Sequence, residues 1–202
     1  MSPRRAARVF IISSPSGGGK TTIVARLRQA LPRLARSVSV TTRAPRRGER
    51  NGSHYRFLSP AEFRRWKRQG RLLESARVHG AEYGTPKQPI LQALSRGRDV
   101  LLNIDVQGAR SVRHALGARA VLIFLLPPSL EQLRQRLMRR KTDTASAIRQ
   151  RLAAAKRELA CAAWYDHRVV NDRLERAARD ILSIMKAERT TERGHAHGAR
   201  TD

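Results

Sequence analysis

The chain has 202 residues, of which 40% are hydrophobic and 29% charged, so it is a folded protein rather than a disordered one. Its formal net charge is +26, and 36 of its 42 basic residues are arginine. This charge has two interpretations, a polyanionic partner such as nucleic acid or a general arginine bias, and the spread of arginines along the chain favours the bias.

Hydrophobicity and cysteine content argue against a membrane protein and against a disulfide-bonded protein. No apolar run approaches the roughly 20 residues that a membrane helix requires, and the single Cys161 excludes an intrachain disulfide. We therefore expect a cytoplasmic protein with neither a membrane nor a specific nucleic acid as partner. The basic termini, residues 1–7 and 189–202, are expected to be flexible. Monomer and homo-oligomer both remain open.

Apolar blocks and segments of helical period alternate along the chain, which is typical of a parallel sheet covered by helices. The predicted strands are 9–13, 37–41, 100–104, 120–126 and 168–170. The predicted helices are 21–31, 61–69, 87–95, 107–116, 130–139, 145–163 and 173–188.

Three of these helices have recognisable start signals. Ser59 precedes Pro60 and Glu62, Thr85 precedes a proline, and Ser129 precedes an acidic residue; such hydroxyl side chains commonly cap the first turn. The region 37–85 differs in character, with tyrosines, glycines and short alternating pieces. It is predicted to be a small insertion with strands of its own.

The stretch SSPSGGGKTT, residues 13–22, lies between the first predicted strand and the first predicted helix. Gly19-Lys20-Thr21 matches the second half of the phosphate-loop pattern G-x-x-x-x-G-K-[ST], whose first glycine is Ser14 here. Glycines let backbone N–H groups converge on phosphate oxygens, a lysine reaches the β and γ phosphates, and the hydroxyl that follows binds Mg²⁺. The alternative, a flexible turn with an incidental lysine, is not excluded by this segment alone.

A second segment, VSVTTRAPRRGERNGSHYRF at residues 38–57, has the residue types of an anion site. Arg43 and Arg46 flank a proline, and Tyr55 follows. Guanidinium groups can bind a phosphate through two parallel hydrogen bonds, and a tyrosine hydroxyl adds a donor. Composition alone leaves open that this is one more arginine-rich loop.

The order of the motifs PSGGGKTT, SVTTRAPRRGERNGSHY, LLESARVHGAEYGT, NIDVQGA, IFLLPPS and RLMRR resembles that of guanylate kinases, over residues 8–188. The resemblance implies an α/β P-loop nucleoside monophosphate kinase. Its core parallel sheet flanked by helices would comprise residues 8–36 and 86–188, with a small mixed GMP-binding insertion at about 37–85 and a helical lid at about 136–151. The implied reaction is Mg²⁺-dependent transfer of the γ-phosphoryl group of ATP to GMP or dGMP, giving ADP and GDP.

The resemblance also implies the binding residues. For ATP they are Ser14, Pro15, Ser16, Gly17, Gly18, Gly19, Lys20, Thr21 and Thr22, with Thr21 on the metal. For GMP they are Ser39, Arg43, Arg46, Glu49, Tyr55, Glu74, Tyr83, Thr85 and Asp105. Within the second set, a carboxylate at Glu74 can accept hydrogen bonds from N1–H and the N2 amino group of guanine. The hydroxyls of Ser39 and Thr85 can donate to O6.

The implied catalytic residues are cations: Lys20, Arg136, Arg140 and Arg151. Phosphoryl transfer spreads negative charge over the equatorial oxygens of the transferred group. Catalysis therefore depends mainly on cations that stabilise this charge and on a closed lid that excludes water. Lys141 stands where the family often has glycine after the second lid arginine.

Three other functions fit part of the sequence. A ribose-bisphosphate kinase shares the frame but lacks the guanine-contacting residues. A non-catalytic guanylate-kinase-like binding module commonly loses the loop lysine or the phosphate-binding arginines, which are present here. A nucleic-acid-binding protein would account for the charge.

One departure predicts a change in metal dependence. Asn103 stands where the family usually carries an acidic residue, two positions before Asp105. An amide contributes no negative charge near a Mg²⁺-bound water, so we predict a preserved fold with weaker or altered Mg²⁺ dependence. Asn103→Asp should lower the Mg²⁺ concentration that gives half-maximal turnover. An unchanged Mg²⁺ requirement and rate would contradict the prediction.

Overall fold

The computed structural model describes residues 6–78, 80–138 and 145–190. The strands are β1 (Val9–Ser13), β2 (Ala35–Arg36), β3 (Val40–Thr41), β4 (Arg56–Phe57), β5 (Leu72–Val78), β6 (Ala81–Pro86), β7 (Val100–Asn103), β8 (Ala120–Leu126) and β9 (His167–Val170). The helices are α1 (Lys20–Ala30), α2 (Pro60–Arg68), α3 (Lys87–Ser95), α4 (Val106–Leu116), α5 (Leu130–Met138), α6 (Ala145–Ala160) and α7 (Leu174–Thr190). Two short 3₁₀ turns lie at Gly117–Arg119 and Cys161–Trp164.

The strands form a five-stranded sheet in the order β2-β7-β1-β8-β9 and a four-stranded sheet in the order β4-β3-β6-β5. In the first sheet β2 pairs with β7 and β8 with β9, both in parallel. All of β1 and nearly all of β8 are buried. A strand covered on both faces reads as a continuous apolar run, so the predicted α/β class with a parallel sheet and flanking helices is confirmed.

The described chain divides into two compact units. The first contains residues 12–32, 121–138 and 145–190, and therefore the loop before α1, strands β8 and β9, and helices α5 to α7. The second contains residues 6–11, 33–78 and 80–120, and therefore the whole four-stranded sheet with helices α2 to α4. The boundaries proposed from the sequence, with residues 86–120 assigned to the core, stay a prediction.

In the second unit, α2 packs on the four-stranded sheet through an apolar cluster of Val40, Phe63 and Trp66. The helix begins at a capping box: the Ser59 hydroxyl accepts from the Glu62 backbone N–H, and the Glu62 carboxylate accepts from the Ser59 backbone N–H. These reciprocal bonds satisfy two groups that a helix start would leave unpaired. The predicted start signal at Ser59 is confirmed.

Two sequence predictions are wrong in detail. Of the strand predicted at 37–41 only β3 is a strand, and β2, which precedes the predicted range, lies in the other sheet. Thr85 does not cap α3, which begins after Pro86 without a side-chain cap, because the Thr85 hydroxyl is bound to Glu74 instead. The Ser129 signal is confirmed, since its hydroxyl accepts from the Gln132 N–H.

The predicted helix 145–163 ends at Ala160 and continues as a 3₁₀ turn. The last residue of the predicted helix 130–139 lies outside the described residues. Across the described part of the chain, the structure has no helix with the length and hydrophobicity needed to span a bilayer.

Candidate functional site

The loop between β1 and α1 belongs to the first unit, and its backbone takes conformations that glycine favours. Gly17 and Gly19 have φ of 85° and 93°, in the left-handed region. Gly19 is the N-cap of α1, which has no side-chain cap and no acidic residue in its first turn. A helix end of this kind presents N–H groups and the positive end of the helix dipole, which suits a phosphate.

Ser14, the departure from the loop pattern, is buried and packs inside the loop. Its hydroxyl donates to the Pro15 carbonyl over 3.1 Å, and a Cβ on Gly18 would lie 2.7 Å from the Ser14 Oγ. The Lys20 ammonium donates to the Ser14 carbonyl over 2.7 Å. A serine at position 14 is therefore accommodated because position 18 is glycine, and the lysine folds back over the loop.

Sequence reasoning missed Asn171, which directly follows β9 and fastens the loop. Its side-chain Nδ2 donates to the Gly18 carbonyl over 2.8 Å in a buried hydrogen bond, and a Cβ on Gly19 would collide with the same amide. The available signal was its place after a parallel strand, at the strand end where ligands gather in such sheets.

Helix α5 lies against the same loop and brings in one of the predicted catalytic arginines. A Cβ on Gly17 would come within 3.0 Å of Leu137, which is fully buried on α5. The preceding residue on that helix, Arg136, donates from Nη2 to the Asn171 carbonyl over 3.1 Å. Arg136 and Asn171 line a cleft of about 420 Å³ together with Gly17, Gly19 and Thr22.

Helix α6 also touches the loop. The Glu158 carboxylate accepts from the Ser16 backbone N–H over 3.3 Å, so a protein carboxylate occupies one of the N–H groups of the loop. Arg151 lies seven residues earlier on α6, a spacing that places two residues on the same helix face. Arg140 lies outside the described residues, as does Lys141.

The second unit holds all of the residues predicted to contact guanine. Glu74 on β5 and Thr85 on β6 are paired across the two strands, and both are buried. The Thr85 hydroxyl donates to Glu74 Oε1 over 2.5 Å. A Cβ on Gly108 would lie 2.7 Å from Glu74 Oε2, so the absence of a side chain there leaves room for the carboxylate.

The environment of Glu74 changes its acidity. Burial raises the pKa of Glu74 to about 7; the Thr85 hydrogen bond opposes this rise and the negative charge of Asp105 adds to it. Asp105 is itself the N-cap of α4, where Oδ1 accepts from the Gly108 N–H over 2.9 Å. Near neutral pH the Glu74 side chain is therefore divided between acid and carboxylate.

Arg43 forms the centre of a cluster with Glu49, Tyr55 and Tyr83. Two of its N–H groups bind the two Glu49 oxygens at 2.9 Å each, Nε donates to the Tyr83 hydroxyl, and Nη1 also donates to a backbone carbonyl. Its guanidinium carbon lies 5.5 Å from the centre of the Tyr55 ring, and Tyr55 packs edge-on against Tyr83. The arginine fork expected on a phosphate is thus bound to Glu49, which leaves one of the five guanidinium hydrogens available.

The acidities in this cluster follow from these contacts. The hydrogen bonds from Arg43, and then the backbone N–H of Arg46, hold the pKa of Glu49 below its usual range. Burial raises the pKa of Tyr55, and the neighbouring Tyr83 adds to the effect. Glu49 therefore stays ionised and keeps Arg43 in place.

The remaining predicted residues have looser surroundings. The Arg46 side chain is exposed, and its segment is held by donation from its backbone N–H to Glu49 over 2.7 Å. Ser39 is half-buried beside β3, where its carbonyl accepts from the Arg56 N–H. Asn103 is half-buried at the end of β7, and Thr21 is exposed in the first turn of α1.

A parallel sheet flanked by helices, with a glycine loop leading into a helix, is the α/β fold of the P-loop class. The family model described as guanylate kinase matches residues 6–188. The chain belongs to the guanylate kinase family.

Individual relatives agree with this assignment. The chain is 47% identical over 182 residues to the guanylate kinase of Rubrobacter xylanophilus, covering 90% of this chain and 95% of the relative. It is 49% identical over 182 residues to the guanylate kinase of Gloeobacter violaceus, covering 90% and 88%. The crystal structure of guanylate kinase from Anaplasma phagocytophilum superposes with a TM-score of 0.76 at 34% identity, covering 92% of this chain and 87% of that one.

The Asn171 contact yields a prediction for triphosphate binding. Asn171→Ala leaves the buried Gly18 carbonyl unpaired, which costs about 1–3 kcal/mol, and we expect the KM for ATP to rise roughly tenfold or more while the KM for GMP stays within about twofold. Asn51→Ala is the matched control, because it also removes an amide bound to a backbone group, here the Phe57 N–H. Steady-state kinetics with each substrate varied measure both. An ATP KM equal in the two variants would refute the role.

Proposed function

We propose that this protein catalyses transfer of the γ-phosphoryl group of ATP to GMP, giving ADP and GDP, as a step of purine nucleotide metabolism in the cytoplasm. Membership of the guanylate kinase family supports the reaction class. The observation that carries the choice of acceptor is the buried pair Glu74 and Thr85 in the second unit, a site whose hydrogen-bonding groups match guanine.

On the donor side, residues 14–22 would hold the triphosphate of ATP. The uncapped start of α1 and the left-handed Gly17 and Gly19 supply backbone N–H groups for phosphate oxygens. Lys20 and Arg136 would stabilise the charge that develops on the transferred group, and a single such donor is typically worth a factor of about 10²–10³ in rate. Arg140 and Arg151 are proposed for the same role as parts of the lid.

The residues present fit a Mg²⁺ ion that arrives with ATP. Within the part of the chain that the structure describes, no three His, Cys, Asp or Glu side chains are grouped to hold a metal. Mg²⁺ in kinases needs no such group, because substrate phosphates and water supply most of its ligands. The exposed Thr21 hydroxyl is a hard oxygen ligand in the first turn of α1 and would complete that set. When bound, the ion would neutralise charge on the β and γ phosphates.

On the acceptor side, Glu74 would accept hydrogen bonds from N1–H and the N2 amino group of guanine. Adenine presents an acceptor at N1 and has no N2 amino group, so it would leave the buried carboxylate unpaired at a cost of about 1–3 kcal/mol per group. Thr85 has a single hydroxyl hydrogen, already given to Glu74. Thr85 therefore positions the Glu74 carboxylate, and its hydroxyl would donate to O6 of guanine only after rotating away from Glu74. Ser39 is the other donor proposed for O6.

The phosphate of GMP is proposed to bind beside Arg43, Arg46, Tyr55 and Tyr83. Glu49 would act by holding Arg43, and Asp105 by shaping the start of α4 beside Glu74. A ribose-bisphosphate kinase would have no use for a buried carboxylate that matches guanine, and a non-catalytic module would not need the Lys20 ammonium over the loop. These features favour the GMP kinase over both.

Turnover with alternative acceptors tests the proposal. A coupled assay with ATP should give ADP formation with GMP and at least about a hundredfold lower kcat/KM with AMP or ribose 1,5-bisphosphate. Lys20→Ala should reduce kcat by about a hundredfold or more, whereas Lys67→Ala, which removes an exposed lysine on α2, should not. A native protein that turns over no GMP would end the proposal.

The acidity of Glu74 predicts a pH dependence of GMP binding. Its pKa is about 7 and the guanine contacts need the carboxylate, so binding should weaken as pH falls through 7 and level off above about pH 8. At pH 6 only about a tenth of Glu74 is ionised, and we expect roughly tenfold weaker binding beyond the loss caused by protonation of the GMP phosphate, whose second pKa is about 6.

Calorimetric Kd values from pH 5.5 to 8.5 measure this effect. Glu82→Gln, which alters a half-buried glutamate on β6, should keep the native profile. Glu74→Gln should bind GMP weakly and show only the phosphate titration. A native profile identical in shape to that of Glu74→Gln would show that Glu74 does not titrate against guanine.

A further inference from the structure

A second cavity, of about 660 Å³, lies in the second unit and contains none of the residues assigned to GMP. Its charged lining residues are Arg36, Arg56, Arg71 and Lys87, and its lining also includes Trp66 and Gln69. No acidic side chain lines it. The cavity is thus concave, positively charged and built from the described residues of one compact unit.

The cavity is on the opposite face of the four-stranded sheet from the Arg43 cluster. Side chains that follow one another along a strand point to opposite faces. Arg56 lies 5.5 Å from the centre of the Trp66 ring on the α2 side, whereas its neighbours Tyr55 and Phe57 lie within 6 Å of the Arg43 guanidinium. A ligand in this cavity would therefore not compete directly for the GMP residues.

Two of the cations are held by an aromatic ring rather than by acids. Arg71 stacks on Trp66 with its guanidinium carbon 3.9 Å from the ring centre, and Arg56 lies above the same ring. Stacking uses the flat face of a guanidinium and leaves the N–H edges free to bind an anion. In the described part of the chain none of the four cations forms an ion pair, and the carboxylate of Glu62 on α2 is held in the Ser59 capping box.

We infer that this cavity is a binding site for a chain of phosphates, carried by an inorganic polyphosphate or by the tail of a nucleotide. Four cations gathered in a concave site repel one another, and an anion with several charges relieves that repulsion. Arginine forks match the geometry of phosphate oxygens. Trp66 is buried and already covered by arginine, so no ring face is left for stacking a base, and recognition would fall on the phosphates.

Titration with inorganic tripolyphosphate tests the inference. In the Lys20→Ala protein saturated with GMP, the proposed GMP residues are occupied and the loop has lost its lysine, so both compete less for the anion. This protein should bind one equivalent of tripolyphosphate at physiological ionic strength. Adding Arg36→Gln and Lys87→Gln should weaken binding at least about tenfold, because two of the four cations are lost.

The matched control removes the same charge elsewhere in the second unit. Arg96→Gln with Arg119→Gln changes two exposed arginines outside the cavity and should alter the affinity by less than about twofold. Equal weakening by both pairs would show a nonspecific effect of net charge and overturn the inference. A protein that binds no tripolyphosphate would overturn the inference as well. The same holds for a protein that binds single-stranded RNA but not tripolyphosphate.

A second measurement locates the ligand without relying on charge removal. The chain has two tryptophans, so Trp164→Phe leaves Trp66 as the sole tryptophan. Tripolyphosphate should change Trp66 emission, because it would bind the N–H edges of the arginines that stack on this ring, and no change at saturation would count against the site. Arg36→Lys with Lys87→Arg should retain binding. If ATP competes with tripolyphosphate, the ligand of the site is the phosphate tail of a nucleotide. If ATP does not compete, the ligand is an inorganic polyphosphate.

Discussion

The loop before α1 has almost no room for side chains, and the arrangement of the first unit depends on this constraint. Ser14 fills the space beside Gly18, the Asn171 amide fills the space beside Gly19, and Leu137 closes against Gly17. One residue of the loop itself and two elements distant in sequence, α5 and the residue after β9, are thus fitted to one run of backbone. Because protein interiors are packed to near crystal density, a change at any of these positions must be absorbed by the loop itself.

The sequence predicted most accurately those elements whose residues are determined by burial or by a motif. Strand β1, strand β8 and helix α3 begin and end where apolar runs and periodicity place them. Strand β2 was missed and the strand predicted at 37–41 was too long, because such short strands are defined by their partners in two different sheets and not by their own composition. The local residue pattern therefore does not predict where either strand begins or ends.

Some residues of the candidate site were also predictable from the sequence and others were not. The glycine loop and the arginine and tyrosine string were readable because several special residues occur at fixed spacing. Asn171 was not, since a single asparagine after a strand has no distinguishing spacing. The bond between Arg43 and Glu49 was also missed, because many acidic and basic residues in this chain could have paired and only the turn between them selects this pair.

Glu74, which we propose selects guanine, has an environment that opposes stability. The free energy of burying a carboxylate is unfavourable unless hydrogen bonds replace its lost hydration, and here one hydroxyl bonds one oxygen. Because the folded pKa is raised, the stabilising effect of the neutral acid is full below the unfolded pKa, near 4.5, and is lost as pH rises through about 7. A guanine ring would supply the donors that the protein itself withholds.

The cluster around Arg43 has a consequence for the entropy of binding. A long side chain that is free in solution loses rotamer freedom when it grips a ligand, at a cost of about 0.5–1.5 kcal/mol. Arg43 has already lost that freedom, since Glu49, Tyr83 and a backbone carbonyl hold it before any phosphate arrives. The cost has been moved into folding, and the phosphate that we propose binds here would meet a rigid guanidinium whose remaining hydrogen points in a fixed direction.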